Sequence, residues 1–321
     1  MKQLLNQSPI PLTFIPPPTQ KIDSDIANFA GVELYVLRLD LMHPWVNGNK
    51  WYKLKYNLAQ AKEQGYKKLL TFGGAYSNHI FATAAAGKLL GFPTIGIIRG
   101  EETLPLNSTL SFAAQQGMQL VYLDRATYRQ KHSVEVQADL RKRFGEVFII
   151  PEGGSNLQGV RGCLEIVSAA MQEVDTVCVG CGTATTLAGI ALSLNSKQRV
   201  LGFPVLKNGG FLAKDIENLV QNYLATGLPT PYSSPAPWEL ICDYHFGGYA
   251  KVKDDLLLFS RQFTENYNIP LDYVYTAKMF YGVMDLLKQG YFSKGDRLLL
   301  IHTGGLQGNF GMNERLQRLS G

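Results

Sequence analysis

Short apolar, β-branched runs alternate with longer stretches of helical periodicity along most of this chain. No other feature constrains the fold so tightly. Strands are predicted at Glu33–Leu39, Lys68–Phe72, Thr94–Arg99, Gln119–Leu123, Val147–Ile150, Thr176–Gly180, Arg199–Phe203 and Arg297–His302. Helices are predicted between and after them, at Trp51–Gln64, Asn78–Leu90, Ser108–Gln116, Ser133–Phe144, Asn156–Met171, Thr185–Leu194, Gly210–Tyr223, Val252–Tyr267 and Thr276–Gln289. Alternation of this kind implies an α/β fold with parallel sheets. The strands are too many for one small sheet, and no repeat of solenoid period is visible. A length of 321 residues leaves room for two domains. Prolines at Pro9, Pro11 and Pro16 to Pro18 mark an extended N-terminal arm, and those from Pro229 to Pro237 mark a loop.

Composition removes several classes. Hydrophobic residues are 45% of the chain and charged residues 18%, which excludes disorder. No run of 18 apolar residues exists, so no transmembrane helix is expected. Met1 to Gln20 lacks the apolar core of a signal peptide, and a cytoplasmic protein is expected. The net charge of +5 comes without a long basic run, so no nucleic-acid partner and no membrane partner are expected. Four scattered cysteines make no disulfide framework. Cys178 and Cys181 have the Cys-x-x-Cys spacing, but half of the pair lies in a buried strand and no second pair follows. No metal site is expected.

Ligands of parallel sheets bind at the carboxyl ends of strands. Of the 32 glycines, ten form Gly-Gly pairs, and three pairs lie just after a predicted strand: Gly73-Gly74, Gly153-Gly154 and Gly304-Gly305. Four segments at such ends, or at helix starts, carry candidate chemistry. Gly180 to Thr186 ends a buried strand in glycine and opens a helix with hydroxyls. Free N–H groups there suit a phosphate. A Walker lysine is missing, Thr185 stands where a dinucleotide fingerprint needs glycine, and Leu201 to Leu206 supplies no acidic residue. A small phosphate-bearing ligand fits better than NAD or ATP. Asn49 is a candidate N-cap that places Lys50 in the first helical turn and Lys53 one turn on. A lysine at a positive helix terminus beside a second lysine loses its proton more readily and becomes a nucleophile toward aldehydes. Gly73 to His79 offers backbone N–H groups and the Ser77 hydroxyl to a carboxylate. Thr303 offers a hydroxyl after the last strand. Taken singly, these signals are weak: a tight turn accounts for the first as well as a phosphate does, and a solvated helix start, a plain cap or a turn is the simpler reading of the other three.

Their order along the chain resembles the pyridoxal-phosphate enzymes of fold type II, the tryptophan-synthase-β-like group. Within it, the chain looks like the 1-aminocyclopropane-1-carboxylate deaminase / D-cysteine desulfhydrase family. The resemblance runs from about Leu39 to Gly311. It rests on Asn49-Lys50-x-x-Lys53-Leu54, on Gly74-x-x-Ser77-Asn78-His79 and on Gly182 to Thr186. Three further segments are in family order: Pro151 to Asn156, Asp272 to Lys278 and His302 to Gly305. Tyr76 stands where the family usually has glutamine, and Tyr273 where it usually has proline.

The resemblance implies two domains, each a mainly parallel twisted sheet flanked by helices. Residues 1–48 and 157–321 would form the large domain, with 49–156 inserted as a small one and the cofactor in the cleft. It implies pyridoxal 5'-phosphate as cofactor, a small amino acid as substrate and a homodimer. Lys50 would carry the Schiff base and act as catalytic base. Lys53, Gly182, Thr183, Ala184, Thr185 and Thr186 would hold the phosphate. Asn78 would reach the cofactor's O3′, and Ser77, Asn78 and His79 would hold the substrate carboxylate, with Ser77 also counted as catalytic. Tyr249 and Tyr275 match substrate-side tyrosines that protonate the leaving group or orient the substrate. Thr276 and Thr303 match the D-cysteine desulfhydrase pattern, in which a hydroxyl faces the pyridine nitrogen. That suits an α,β-elimination releasing pyruvate, sulfide and ammonia. The alternatives are a cyclopropane-acid deaminase, a racemase, a serine or threonine dehydratase and a non-catalytic binder of the cofactor.

Overall fold

The computed structural model describes residues 12–167 and 173–310. Its strands form two sheets. The larger has the order β1-β2-β10-β7-β8-β9, with β1 (Thr19–Ile22), β2 (Glu33–Arg38), β7 (Thr176–Cys181), β8 (Arg199–Pro204), β9 (Trp238–Leu240) and β10 (Arg297–His302). Only β1 runs antiparallel to its neighbour. The smaller sheet is wholly parallel, in the order β5-β4-β3-β6, with β3 (Leu69–Gly73), β4 (Thr94–Arg99), β5 (Gln119–Leu123) and β6 (Phe148–Ile150).

Eleven α-helices lie in the described residues: α1 (Asp25–Ala30), α2 (Gly48–Glu63), α3 (Asn78–Leu90), α4 (Ser108–Gln115), α5 (Arg125–Arg129), α6 (Val134–Phe144), α7 (Leu157–Cys163), α8 (Thr185–Ser193), α9 (Leu212–Ala225), α10 (Asp254–Tyr267) and α11 (Thr276–Lys288). The larger sheet is covered on both faces, which is why its strands read as unbroken apolar runs. Val177, Val179, Cys181, Leu299 and Ile301 point into a core shared with α2, α7, α8 and α9. The alternate residues Cys178, Leu298 and Leu300 point into a second core with α1, α10 and α11. Full burial of a single leucine or phenylalanine here contributes about 1.5–3 kcal/mol.

The predicted elements are present, with shifted ends. The first strand after the proline arm, the short β9 and the one- to two-turn helices α1 and α5 had no counterpart in the pattern, because segments of three to six residues show too little periodicity. Pro16 to Pro18 lead into β1, where the Pro18 carbonyl accepts from the Arg38 N–H. Pro9 and Pro11 lie outside the described residues. The helix expected at Asn156–Met171 stops at Cys163, since the chain turns at Leu164 and Glu165 binds Lys55 and Tyr56 of α2. Its expected end, from residue 168, lies outside the described residues. Asn49 is not a cap: α2 begins at Gly48 with Asn47 before it.

These connections set up the site. Helix α2 leads from the larger sheet to the smaller, and the chain returns through Glu152–Gly154 and α7. Asn57 and Asn156 exchange amide hydrogen bonds of 3.1 and 2.7 Å across the two crossings. The carboxyl ends of β3, β4, β7 and β10 thus open toward the amino end of α2.

Candidate active site

A cavity of about 290 Å3 lies at these strand ends. Residues of both sheets line it: Lys50, Lys53, Ser77, Asn78, His79, Gly182, Thr183, Thr186, Tyr249, Tyr275 and Thr303 among them. Of the residues singled out from sequence, Ala184 and Thr185 do not face it. Ala184 is buried at the cap of α8, and the Thr185 hydroxyl donates to Ser155 at 2.7 Å. They serve the turn through its backbone.

Lys50 sits in the first turn of α2. Burial, and secondarily the nearby charge of Lys53, lower its ammonium from 10.5 to about 7. About half of such amines are unprotonated at neutral pH. Lys53, one turn on, is 2% exposed, and its Nζ donates to Thr183 Oγ1 at 3.0 Å. Asn49 donates to Thr186 Oγ1 at 3.0 Å. Two α2 side chains are therefore tied to the turn that opens α8. That turn brings together a buried ammonium, two hydroxyls and the free N–H groups of a helix start, the features of an anion site.

Two glycines allow this closeness. Gly48 has φ of +65°, and a Cβ there would stand 2.0 Å from the Thr303 carbonyl oxygen, which accepts from the Asn49 N–H. A Cβ on Gly182 would stand 2.7 Å from the Tyr275 ring. Any side chain at either position would separate α2 from β10, or the turn from the tyrosine.

On the opposite wall, Ser77 caps α3, and its oxygen accepts from the N–H groups of His79 and Ile80 at 3.2 and 3.3 Å. Its own proton remains available to a ligand. Asn78 is fixed by Gln307, which donates to its Oδ1 at 2.8 Å. His79 is 1% exposed. Burial, then the charges of Lys50 and Lys53, hold its ring well below the usual histidine range, so it is neutral. Thr71 Oγ1 donates to the Ile150 carbonyl and so accepts from His79 Nε2 at 2.8 Å. The proton therefore sits on Nε2. Nδ1 is a bare, buried acceptor with no partner among the described residues.

Tyr249 and Tyr275 meet edge to face, ring centres 6.2 Å apart, and burial raises both phenols. They are thus protonated donors at neutral pH. Thr303 faces the cavity, whereas Thr276 does not. The Thr276 hydroxyl donates to Asp272 Oδ2 at 2.7 Å and accepts from the Asp272 N–H at 2.8 Å. It belongs to the cap of α11. Only Thr303 of the two can face a ring in the cavity.

The sequence reading overlooked Arg99, Glu152 and Leu206, which share the cavity wall. Arg99 ends a predicted strand and Glu152 lies in a quoted motif, so strand-end position was the available signal. Among the described residues no group of three or more His, Cys, Asp or Glu side chains could hold a metal. Nor is any described helix long and apolar enough to cross a membrane.

A buried lysine amine near neutrality beside a turn of lysine and hydroxyls is what an enzyme that captures a phosphate-bearing aldehyde cofactor would need. The chain matches the model of the pyridoxal-phosphate dependent enzymes over residues 13–304, and it belongs to that family. A Pyrococcus horikoshii protein provisionally named 1-aminocyclopropane-1-carboxylate deaminase is 33% identical over 304 residues, covering 92% of this chain and 91% of its own. The D-cysteine desulfhydrase of Yersinia enterocolitica is 28% identical, covering 90% and 91%. A crystal structure of a homologue of 1-aminocyclopropane-1-carboxylate deaminase superposes with a TM-score of 0.82 at 29% identity, over 98% of this chain and 97% of that one. The fold is the two-sheet α/β fold of these enzymes, and the cofactor is pyridoxal phosphate. The residues present fit it: an amine for the aldehyde, a cationic turn for the phosphate, and an unpartnered acceptor at His79 Nδ1 on the wall between.

Proposed function

We propose that this enzyme carries out α,β-elimination on a small amino acid, converting D-cysteine to pyruvate, sulfide and ammonia. The observation that carries the reading is the placement of Lys50, Ser77, Thr303 and the Tyr249–Tyr275 pair around one cavity. When bound, pyridoxal phosphate supplies an aldehyde for the substrate amine and a ring that draws electrons from the α-carbon. Lys53, Thr183, Thr186 and the backbone from Gly182 to Thr185 would hold the phosphate. Asn78, fixed by Gln307, would be a further residue for the cofactor. The Ser77 hydroxyl at the start of α3 orients the substrate carboxylate, with His79 behind it.

The Lys50 amine, near neutrality, takes the α-proton. A tyrosine O–H, from Tyr249 or Tyr275, protonates the sulfur as the β-carbon–sulfur bond breaks. Thr303 would present a hydroxyl rather than a carboxylate to a bound ring, which would favour a reaction whose leaving group carries the electrons away. Water then replaces the nitrogen, giving the keto acid and ammonia. A product screen tests the proposal: D-cysteine should yield sulfide and pyruvate in equal amounts. The name of the Pyrococcus relative favours a second reading, and 2-oxobutyrate from the cyclopropane acid in the same screen would establish it instead.

The four strands of the smaller sheet all fall within residues 49–156, which supports the inserted small domain, with 1–48 and 157–321 as the large one. A homodimer and a cytoplasmic location complete the proposal, supported by the family resemblance and by the lack of a membrane-crossing helix among the described residues.

A further inference from the structure

Three cationic side chains and one carboxylate face the cavity: Lys50, Lys53, Arg99 and Glu152. Three of the four have work or a partner. Lys53 is bonded to Thr183, Lys50 is near neutrality, and Glu152 lies 3.2 Å from Lys131 Nζ. Arg99 alone has neither a hydrogen bond nor an ion pair among the described residues. Two buried or half-buried arginines of the larger sheet are committed by contrast: Arg38 forks onto Asp40 at 2.9 and 2.7 Å, and Arg297 contacts Glu33 and Glu173.

The position of Arg99 is set by the sheet. It is the last residue of β4, one past Ile98, which pairs with Gly73 of β3. Its Nη2 lies 3.6 Å from where a Cβ on Gly74 would stand, so the guanidinium sits against the turn that leads to Ser77. It also lies close enough to Tyr249 for its charge to offset part of the effect of burial on that phenol. Arg99 is exposed at the cavity mouth rather than sealed in the wall. A rigid planar donor in that place, with no internal acceptor, is suited to a carboxylate or another anion.

We propose that Arg99 is an anion subsite at the mouth of this cavity, and that the site binds most tightly small α-amino acids whose β-substituent is negatively charged: a thiolate in a substrate that eliminates, a carboxylate in a ligand that binds without eliminating. The inference rests on the elimination reading above and narrows its substrate class. The α-carboxylate is already assigned the Ser77 hydroxyl at the start of α3. Arg99, next to Tyr249, falls to the other end of the substrate, where the leaving group departs. A guanidinium there also favours charge that develops on a departing sulfur.

The test uses the cofactor-loaded enzyme and near-isosteric ligand pairs, aspartate against asparagine in both D and L forms. Binding is read from the change in cofactor absorbance, independently of turnover. In the wild type, aspartate of the preferred hand should bind about tenfold more tightly than asparagine, the scale of one charge-assisted hydrogen bond. Arg99→Gln should bring the ratio close to one, and Arg99→Lys should keep part of it. Thermal midpoints should hardly move, because the Arg99 side chain is exposed and makes no hydrogen bond or ion pair among the described residues. Equal affinities in the wild type, or a preference that survives Arg99→Gln, would overturn the proposal. So would an equal loss for aspartate and asparagine, which would place Arg99 on the α-carboxylate. If amino acids shift the absorbance with no charge preference, this inference fails and the elimination reading stands. If no amino acid shifts it, both fail together.

Discussion

The two strand-to-helix turns that face each other across the cavity are built alike and differ in one partner. After β7 the chain passes through Gly182 and Thr183 into α8, and after β3 it passes through Gly74 and Ser77 into α3. Each offers a hydroxyl at a helix start, although at the second the N–H groups of His79 and Ile80 already donate to Ser77. Only the first receives a buried cation, because Lys53 of α2 ends 3.0 Å from Thr183. The second is backed by a neutral ring, since Lys50, Lys53 and burial keep the proton off His79. On the function proposed above, the side chain arriving from elsewhere would set the charge each turn takes: a doubly charged phosphate at the first, a single carboxylate at the second.

The largest expected effect lies between the turns. Lys50→Ala removes both the amine that takes the cofactor aldehyde and the proposed base. Turnover should fall by at least about 10²–10⁴, the span of general acid–base catalysis alone. Borohydride should no longer fix the cofactor to the chain. Wild-type turnover in this variant would remove Lys50 from both roles. Next comes Lys53→Met, which takes the cation from the first turn and makes it resemble the second. Cofactor affinity, measured by fluorescence titration, should drop by about 10- to 100-fold, as expected for a hydrogen bond to a charged group. Unchanged affinity would mean that the two turns do not differ as argued.

Much of this was legible in sequence, for identifiable reasons. Parallel strands buried on both faces read as apolar runs, so β4, β5 and β10 were placed to the residue. Ser77 before Asn78 marked the start of α3, because a hydroxyl cap leaves a local signature. Contacts between distant segments leave none. Asn49 looked like a cap, yet its amide reaches Thr186, 137 positions away. Thr276 and Thr303 looked equivalent until the fold turned one toward Asp272 and the other toward the cavity. Arg99 and Lys278 show the same limit. Lys278 is 1% exposed and donates to the carbonyls of His245 and Gly248 at 2.9 and 2.8 Å, fastening the loop that carries Tyr249.

A smaller effect sharpens the comparison at the second turn. Ser77→Ala removes the α3 cap, which should cost about 0.5–2 kcal/mol in chemical denaturation. Ser77→Gly should recover most of that stability, because glycine is a tolerated cap, without restoring the hydroxyl. KM should therefore stay raised in both variants if the Ser77 proton reaches the substrate carboxylate. A KM that recovers with stability would leave Ser77 as a cap and nothing more.

The last effect concerns Lys50 before the cofactor arrives. Its ammonium titrates near 7 in the fold and at the usual 10.5 in the unfolded chain. Between these values the unfolded chain holds a proton that the folded chain has lost. Stability from this group therefore rises with pH from about 7 to 10.5, and the full penalty is present below 7. Lys278, lowered to about 8 by burial, contributes in the same direction. Urea unfolding of cofactor-free wild type and of Lys50→Met isolates the Lys50 share. The wild type should gain on the variant as pH rises through that window. A constant difference between them would show that the Lys50 amine is protonated in the fold as in water, and would remove the physical basis for its reactivity toward the cofactor aldehyde.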